Sequence, residues 1–172
     1  VHTSLSFDGF SVGTIATPAD AYRYARGEPL QHPAGFEMKL RQPLDFYAVS
    51  DHAMFMGVAR EAATVGTDYS KHNSSQSIHG LNDPERRGTD LLSTLKRMKA
   101  FSNFLPENVN AIKAGEIPVS DALDVMSAAW LETVEAARRY NDPGKFTTLV
   151  AYEFTATAAD AGNLHRNVIF QN

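Results

Sequence analysis

Two short apolar runs, set far apart in the chain, constrain the fold most. Asp45-Phe46-Tyr47-Ala48-Val49 and Phe146-Thr147-Thr148-Leu149-Val150-Ala151-Tyr152-Glu153 are rich in β-branched and aromatic residues, and both read as buried strands. The chain between them carries helical periodicity. Strands joined through helices pair in parallel, because a tight hairpin can connect only antiparallel neighbours. The order of elements therefore predicts an α/β architecture with a mainly parallel sheet.

The helices announce themselves by their ends. Thr17-Pro18-Ala19-Asp20 supplies an N-cap, a proline in the first turn and an acid three residues after the cap, and Gly27 stops the helix. Residues 28–43 read as loop, with a short strand over 36–40, and residues 53–64 are helix-like. Asp83-Pro84 opens a long helix with an apolar stripe at Leu91, Leu95, Met98 and Phe101 or Ser102. Pro118 opens another, striped by Val119, Ala122, Leu123, Met126, Trp130, Thr133 and Ala137, which ends at Asn141-Asp142-Pro143-Gly144. Residues 66–83 are polar and read as a long surface loop. The whole of 66–118 is expected to be an insertion or lid-like segment. A turn over 156–162 and a last strand over 165–170 complete the pattern.

With 172 residues the chain is sized for one domain. Net charge is −4 and no basic stripe appears, which argues against a nucleic-acid partner. There is no cysteine, so disulfides and zinc–thiolate sites are excluded. No run of 18 apolar residues is present, so no membrane-spanning helix is expected. Val1-His2-Thr3-Ser4 begins as if inside an element, and the last residues stop just after a strand-like run. The chain is expected to be incomplete at both ends and to hold too few strands to close a barrel.

Ionisable residues gather at the expected strand ends. His2 follows a first short strand, with Asp8 a few residues on; Asp51 and His52 end the second, Glu153 ends the third, and His165 opens the fourth. Neighbouring strand ends lie about 5 Å apart, so such side chains can converge on one spot. Imidazole and carboxylate together suit zinc, manganese or iron, whereas carboxylates alone would favour magnesium or calcium. A carboxylate such as Glu153 can bridge two ions. His32, His72 and His79 fall in loops and are expected to be solvated or at a rim.

These residues resemble the PHP (polymerase and histidinol phosphatase) superfamily. Val1-His2-Thr3-Ser4-Leu5-Ser6-Phe7-Asp8-Gly9 is similar to its first motif, and the strand ending Ser50-Asp51-His52 to its second, with Ser50 for the usual threonine. Val150-Ala151-Tyr152-Glu153 resembles the strand that ends in a metal-bridging glutamate, and His165 the histidine that follows. The phrases ATPADAYRYARGE, RQPLDFYAVSDHA and NLHRNVIF resemble one branch, domain-of-unknown-function family 3604. The resemblance implies part of a distorted (β/α)7 barrel with up to three divalent metals (zinc, manganese or iron). Within it His2 and Glu153 would hold the first metal, Glu153 and His165 the second, and Asp8 and His52 the third. Asp51 would orient His52 or a water, and with Glu153 forms the candidate catalytic set. Arg166 would bind an anionic substrate.

The implied activity is hydrolysis by a metal-bridging hydroxide, best suited to a small phosphate ester. The first histidine of the family's His-x-His would precede Val1, and its later ligands have no positions here. The chain alone is therefore expected to bind metal weakly and to be inactive without the remainder of its barrel. The alternatives are hydrolysis of sulfate, carboxylic ester or C–N bonds, and a non-catalytic binding or structural domain.

Overall fold

The computed structural model describes residues 1–158 and 162–171. It is a mixed α/β chain: helices α1 (Phe7–Ser11) and α2 (Pro18–Ala25), strands β1 (Leu30–Gln31), β2 (Glu37–Met38) and β3 (Phe46–Val49), and then α3 (Val58–Ala63). Two short 3-10 turns follow (Tyr69–Lys71 and Asn73–Ile78), then α4 (Pro84–Arg87), α5 (Leu91–Lys113), α6 (Val119–Tyr140), β4 (Thr147–Ala158) and β5 (Gly162–Ile169). No barrel closes among the described residues. The main sheet has three strands in the order β3-β4-β5, and β1 pairs with β2 in a separate two-stranded ribbon.

The long helical crossover gives β3 and β4 the parallel pairing expected, from Phe46 opposite Thr147 to Val49 opposite Val150. The expectation of a mainly parallel sheet needs correction at the next strand. β5 returns antiparallel to β4, from Ala151 opposite Ile169 to Ala158 opposite Gly162. Residues 156–158 therefore extend the strand instead of turning, and residues 159–161 of the expected turn lie outside the described residues. β3 is also less buried than its apolar sequence suggested, because Phe46 lies exposed at the sheet's start. Beyond β3 lies the chain's own beginning, where the Ser50 N–H donates to the Val1 carbonyl at 2.9 Å. Those first residues form no strand, yet they hang on the sheet edge.

α2 has the anticipated capping box: Thr17 Oγ1 accepts from the Asp20 N–H and the Asp20 carboxylate accepts from the Thr17 N–H. Fully buried Tyr22 ties this helix to the sheet, its hydroxyl donating to the Leu149 carbonyl and accepting from the Val49 N–H. Around it Ala25, Val49, Ala136, Ala137 and Phe146 form one core between α2, α6 and the sheet. A larger core joins Phe10, Val58, Ala62, Tyr69, Ile78, Phe101, Phe104 and Ile117.

Several helical expectations shift. Residues 53–57 turn before α3 begins, because Phe55 (φ 54°) and Gly57 (φ 77°) take left-handed backbone. Gly57 also admits α6 closely: a Cβ there would lie 2.7 Å from that of Ala129. Residues 66–83 are not a solvated loop. Tyr69, Ser70, Ser74, Ser75 and Ile78 are buried, and Ser and Thr side chains bond the local backbone into 3-10 turns. The helix opening at Asp83 breaks at Gly88, and α5 restarts on Asp90, whose carboxylate accepts from the Ser93 N–H.

Of the stripe read for α5, Leu91, Leu95 and Met98 face outward, with Leu91 74 % exposed, while Phe101 is buried as expected. The face that packs inward is Arg97, Phe101, Phe104 and Asn108, a helical spacing hidden from apolar counting by its polar members. In α6, likewise, Ala122, Thr133 and Ala137 are buried as expected, while Val119 and Leu123 are exposed and Trp130 is half-buried. Small residues carry that face because α6 lies close to its neighbours. Among the described residues no helix is long and apolar enough to cross a membrane.

Candidate metal centre

β3 ends at Val49, but its backbone keeps contact with β4 for three more residues. The Glu153 N–H donates to the Asp51 carbonyl at 2.9 Å and the Ala53 N–H to the Glu153 carbonyl at 3.0 Å. This bridge sets His52 directly beside Glu153. Strand alternation then selects what faces the same way. On β4 the site face carries Glu153 and Thr155. On β5 it carries His165, opposite Thr155, and Asn167, opposite Glu153. Neither Glu153 nor His165 lies at a strand end, as the sequence had suggested; both sit within the antiparallel β4–β5 hairpin.

Five of the expected residues converge. The Glu153 carboxylate spans two imidazoles, with Oε2 2.6 Å from His2 Nε2 and Oε1 3.2 Å from His165 Nδ1. His2 Nδ1 lies 2.8 Å from Asp8 Oδ2. His52 stands between, its Nε2 3.8 Å from Asp8 Oδ2 and its Nδ1 3.8 Å from Glu153 Oε2. Phe7 stacks on the His52 ring at 4.5 Å between centroids. His52 and Glu153 lie deep, with side chains 6 % and 12 % exposed, while Asp8 and His165, at 46 % and 41 %, form the mouth.

The electrostatics follow from this packing. The hydrogen bond to Asp8 raises the His2 pKa, against the opposing pull of burial and with help from the Asp8 and Glu153 charges. Burial alone would raise Asp8, but hydrogen bonds from His2, Ser6 and the Gly9 N–H hold its carboxyl far below the usual range. Burial lowers His52, with the neighbouring carboxylates opposing.

The other two expected residues stand apart. Asp51 is fully buried, and both its oxygens are taken by Thr3: the Thr3 N–H donates to Oδ1 and the Thr3 hydroxyl to Oδ2 at 2.7 Å. Burial raises its pKa, with the Thr3 bonds opposing. Its side chain does not reach His52, so Asp51 fixes the residue next to His2 instead. Arg166 neighbours His165 in sequence, but one step along a strand reverses the face, and it lies opposite Phe154 and exposed. It does not share the cluster's face.

Two residues that bind the cluster together were not anticipated. Thr155 Oγ1 lies 2.8 Å from His52 Nδ1 and 3.2 Å from His165 Nδ1. Ser6 Oγ donates to Asp8 Oδ1 at 2.5 Å and accepts from the His52 N–H at 3.2 Å. Thr155 was legible in principle, two residues beyond Glu153 on a strand, had the strand been extended. The loop histidines serve structure: His72 Nε2 pairs with Asp121 at 3.2 Å, His79 Nε2 meets the Ser70 carbonyl at 2.8 Å, and His32 stacks on Phe36.

Two triads meet the donor requirement of a cation. In His2-Asp8-His52 and in His52-Glu153-His165, one ligand atom from each residue lies within 4.8 Å of the others. Donors on a tetrahedral ion with bonds of about 2.1 Å sit about 3.4 Å apart, so modest closure of either triad would suffice. Nitrogen and carboxylate oxygen without sulfur suit zinc, manganese or iron.

The family described as protein of unknown function (DUF3604) matches residues 1–172. The chain belongs to that family. Searches of curated proteins and of solved structures returned no match. The convergent histidines and carboxylates come from three places within the matched span, residues 2–8, His52 and residues 153–165.

Proposed function

We propose that this DUF3604 chain carries the metal-binding core of a hydrolase, of the PHP type and acting on phosphate esters. The observation that supports this reading best is Glu153, one oxygen on His2 and the other on His165, with Asp8 and His52 alongside. Such a carboxylate, with an imidazole at each oxygen, would reach towards both cation sites; the triads supply imidazole and carboxylate to each and share His52. When bound, divalent ions supply Lewis acidity, which activates water near neutral pH and neutralises phosphoryl oxygens.

The chain's own residues do the rest. His52, common to both triads, would set the spacing of the two sites, with Glu153 reaching from one towards the other. Thr155 has a single hydroxyl proton between two ring nitrogens. It donates to one of His52 Nδ1 and His165 Nδ1 and accepts from the other, which orders both rings. Asp51 holds Thr3 and so keeps His2 in place. Asn167 faces the same side as Glu153 and offers an amide to a substrate oxygen. With His2, Asp8, His52, Glu153 and His165, each site has few protein ligands, so metal is held loosely.

Zinc and manganese titration by calorimetry tests the reading. The chain takes up metal, and Glu153→Gln and His2→Ala lose it without loss of fold by circular dichroism. Uptake unchanged in both variants would refute it. Aryl phosphates, phosphonates, sulfates and carboxylic esters are then compared on the longest natural chain that carries these residues. A metal-dependent preference for a non-phosphate ester would reassign the substrate class.

A further inference from the structure

A cavity of about 560 Å³ lies away from the cluster, between the end of α1, the β1–β2 ribbon and the start of α5. Val12, Ile15, Leu30 and Met38 give it apolar walls, and Arg87 and Arg97 line it as well. Both arginines are more than nine-tenths buried, at 9 % and 4 % exposure. A buried guanidinium normally meets a carboxylate, since an unpaired charge taken out of water is strongly destabilising.

Among the described residues these two lack such partners. Ion-paired arginines among the described residues are Arg23 and Arg60. Arg97 donates to the carbonyls of Arg87, Gly88 and Val12 and to Thr94 Oγ1, which holds the group but brings no negative charge. Gly13 makes room for it: a Cβ there would lie 3.1 Å from the Arg97 guanidinium. Arg97 Nε and Arg87 Nη1 are buried without an acceptor. The acids nearby are committed elsewhere, Asp20 to the Thr17 cap and Arg23, and Asp90 to Ser93. Burial and then the Arg87 charge push the Arg97 pKa below its usual value, the mark of two cations sharing a wall.

We propose that this cavity binds a small organic anion, with its phosphate or carboxylate head on the Arg87 guanidinium beside the Arg97 charge and its apolar body against Ile15, Leu30 and Met38. The Arg87 guanidinium, which donates to no group among the described residues, suits either oxyanion, while Arg97 has its Nη hydrogens on carbonyls and Thr94 and adds charge alone. An anionic ligand would neutralise charge that the protein leaves unbalanced, and the apolar walls would bury a hydrocarbon body. The site does not depend on the hydrolase reading, since it shares no residue with the metal triads.

Calorimetric titration of octyl phosphate, octanoate and neutral octanol tests it, with chelator present so that no metal can hold the head. At least one anion binds tenfold or more tightly than octanol, and which anion does so identifies the head. Arg87→Met weakens that anion at least tenfold and leaves octanol unchanged; it is chosen because the Arg87 side chain holds no backbone group. Ile15→Trp, at a half-exposed wall position, fills the cavity and abolishes binding of all three. Anions no tighter than octanol, or wild-type anion affinity in either variant, would overturn the proposal.

Discussion

Asp51 is where the fold and the candidate site depend on the same two hydrogen bonds, and its replacement is the sharpest test of that dependence. Its oxygens accept from the N–H and the hydroxyl of Thr3, a residue only 1 % exposed. Asp51→Ala strands both donors in a dry interior. Each orphan costs about 1–3 kcal/mol, and relief from burying a carboxylate returns part of that. The net loss is about 2–4 kcal/mol. Asp51→Asn keeps an acceptor for the Thr3 N–H but turns an amide toward Thr3 Oγ1, which already accepts from the Leu5 N–H at 3.2 Å. That mismatch costs about 1 kcal/mol. Urea unfolding followed by circular dichroism, with both variants fitted to a common slope, resolves the difference. Because His2 precedes Thr3, the Ala variant also loses metal affinity more than the Asn variant does. An Ala cost equal to or below the Asn cost would show that the Thr3 bonds do not anchor the chain, and the ordering above would fail.

Other expectations follow from single contacts. Thr155→Val removes the hydroxyl between two imidazoles and lowers metal affinity about tenfold, while Thr155→Ser retains it; equal affinities in calorimetry would contradict the ordering role. Phe104→Ala, at a nearly inaccessible core position, destabilises by about 3–5 kcal/mol in urea unfolding, and a cost under about 1 kcal/mol would mean that the α5 face has been misassigned. The pKa of Asp90 is lowered by the hydrogen bonds from Ser93 that cap α5. A depressed carboxyl stabilises the fold above its unfolded value and loses that contribution as pH falls through the folded one. Helicity at acid pH therefore drops below the unfolded carboxyl range, and Asp90→Asn flattens that part of the profile.

Much of this was visible in the chain before any coordinates. Chemical punctuation read well, because a cap, a proline or a glycine acts on its own backbone: Thr17, Pro118 and Asn141 sit where helices begin or end. The parallel β3–β4 pair was equally legible, since a long crossover permits little else. What failed depended on partners. Leu91, Leu95 and Met98 make a convincing apolar stripe, yet the tertiary neighbours of α5 meet Arg97, Phe101, Phe104 and Asn108. Residues 66–83 look solvated by composition, although their serines satisfy the local backbone and let Tyr69 and Ile78 turn inward.

The site was legible for a different reason. Ionisable residues next to apolar strands carry a desolvation cost that only a partner or a cation relieves, so their positions stand out from the background. Reading strand ends picked out His2, Asp8, Asp51, His52, Glu153 and His165 without the topology; Asp51 turns to Thr3 instead of the cluster, and Glu153 and His165 lie within strands, not at their ends. The antiparallel hairpin brings them together just as a row of parallel strand ends would, because alternation puts Glu153, Thr155 and His165 on one face. The same alternation removes Arg166 from that face. Convergence of donors is thus robust to an error in strand direction, whereas the role of any single neighbour depends on strand parity. An anion-binding arginine is therefore better sought by burial without a carboxylate partner, as at Arg87 beside Arg97, than by adjacency to a ligand in the sequence.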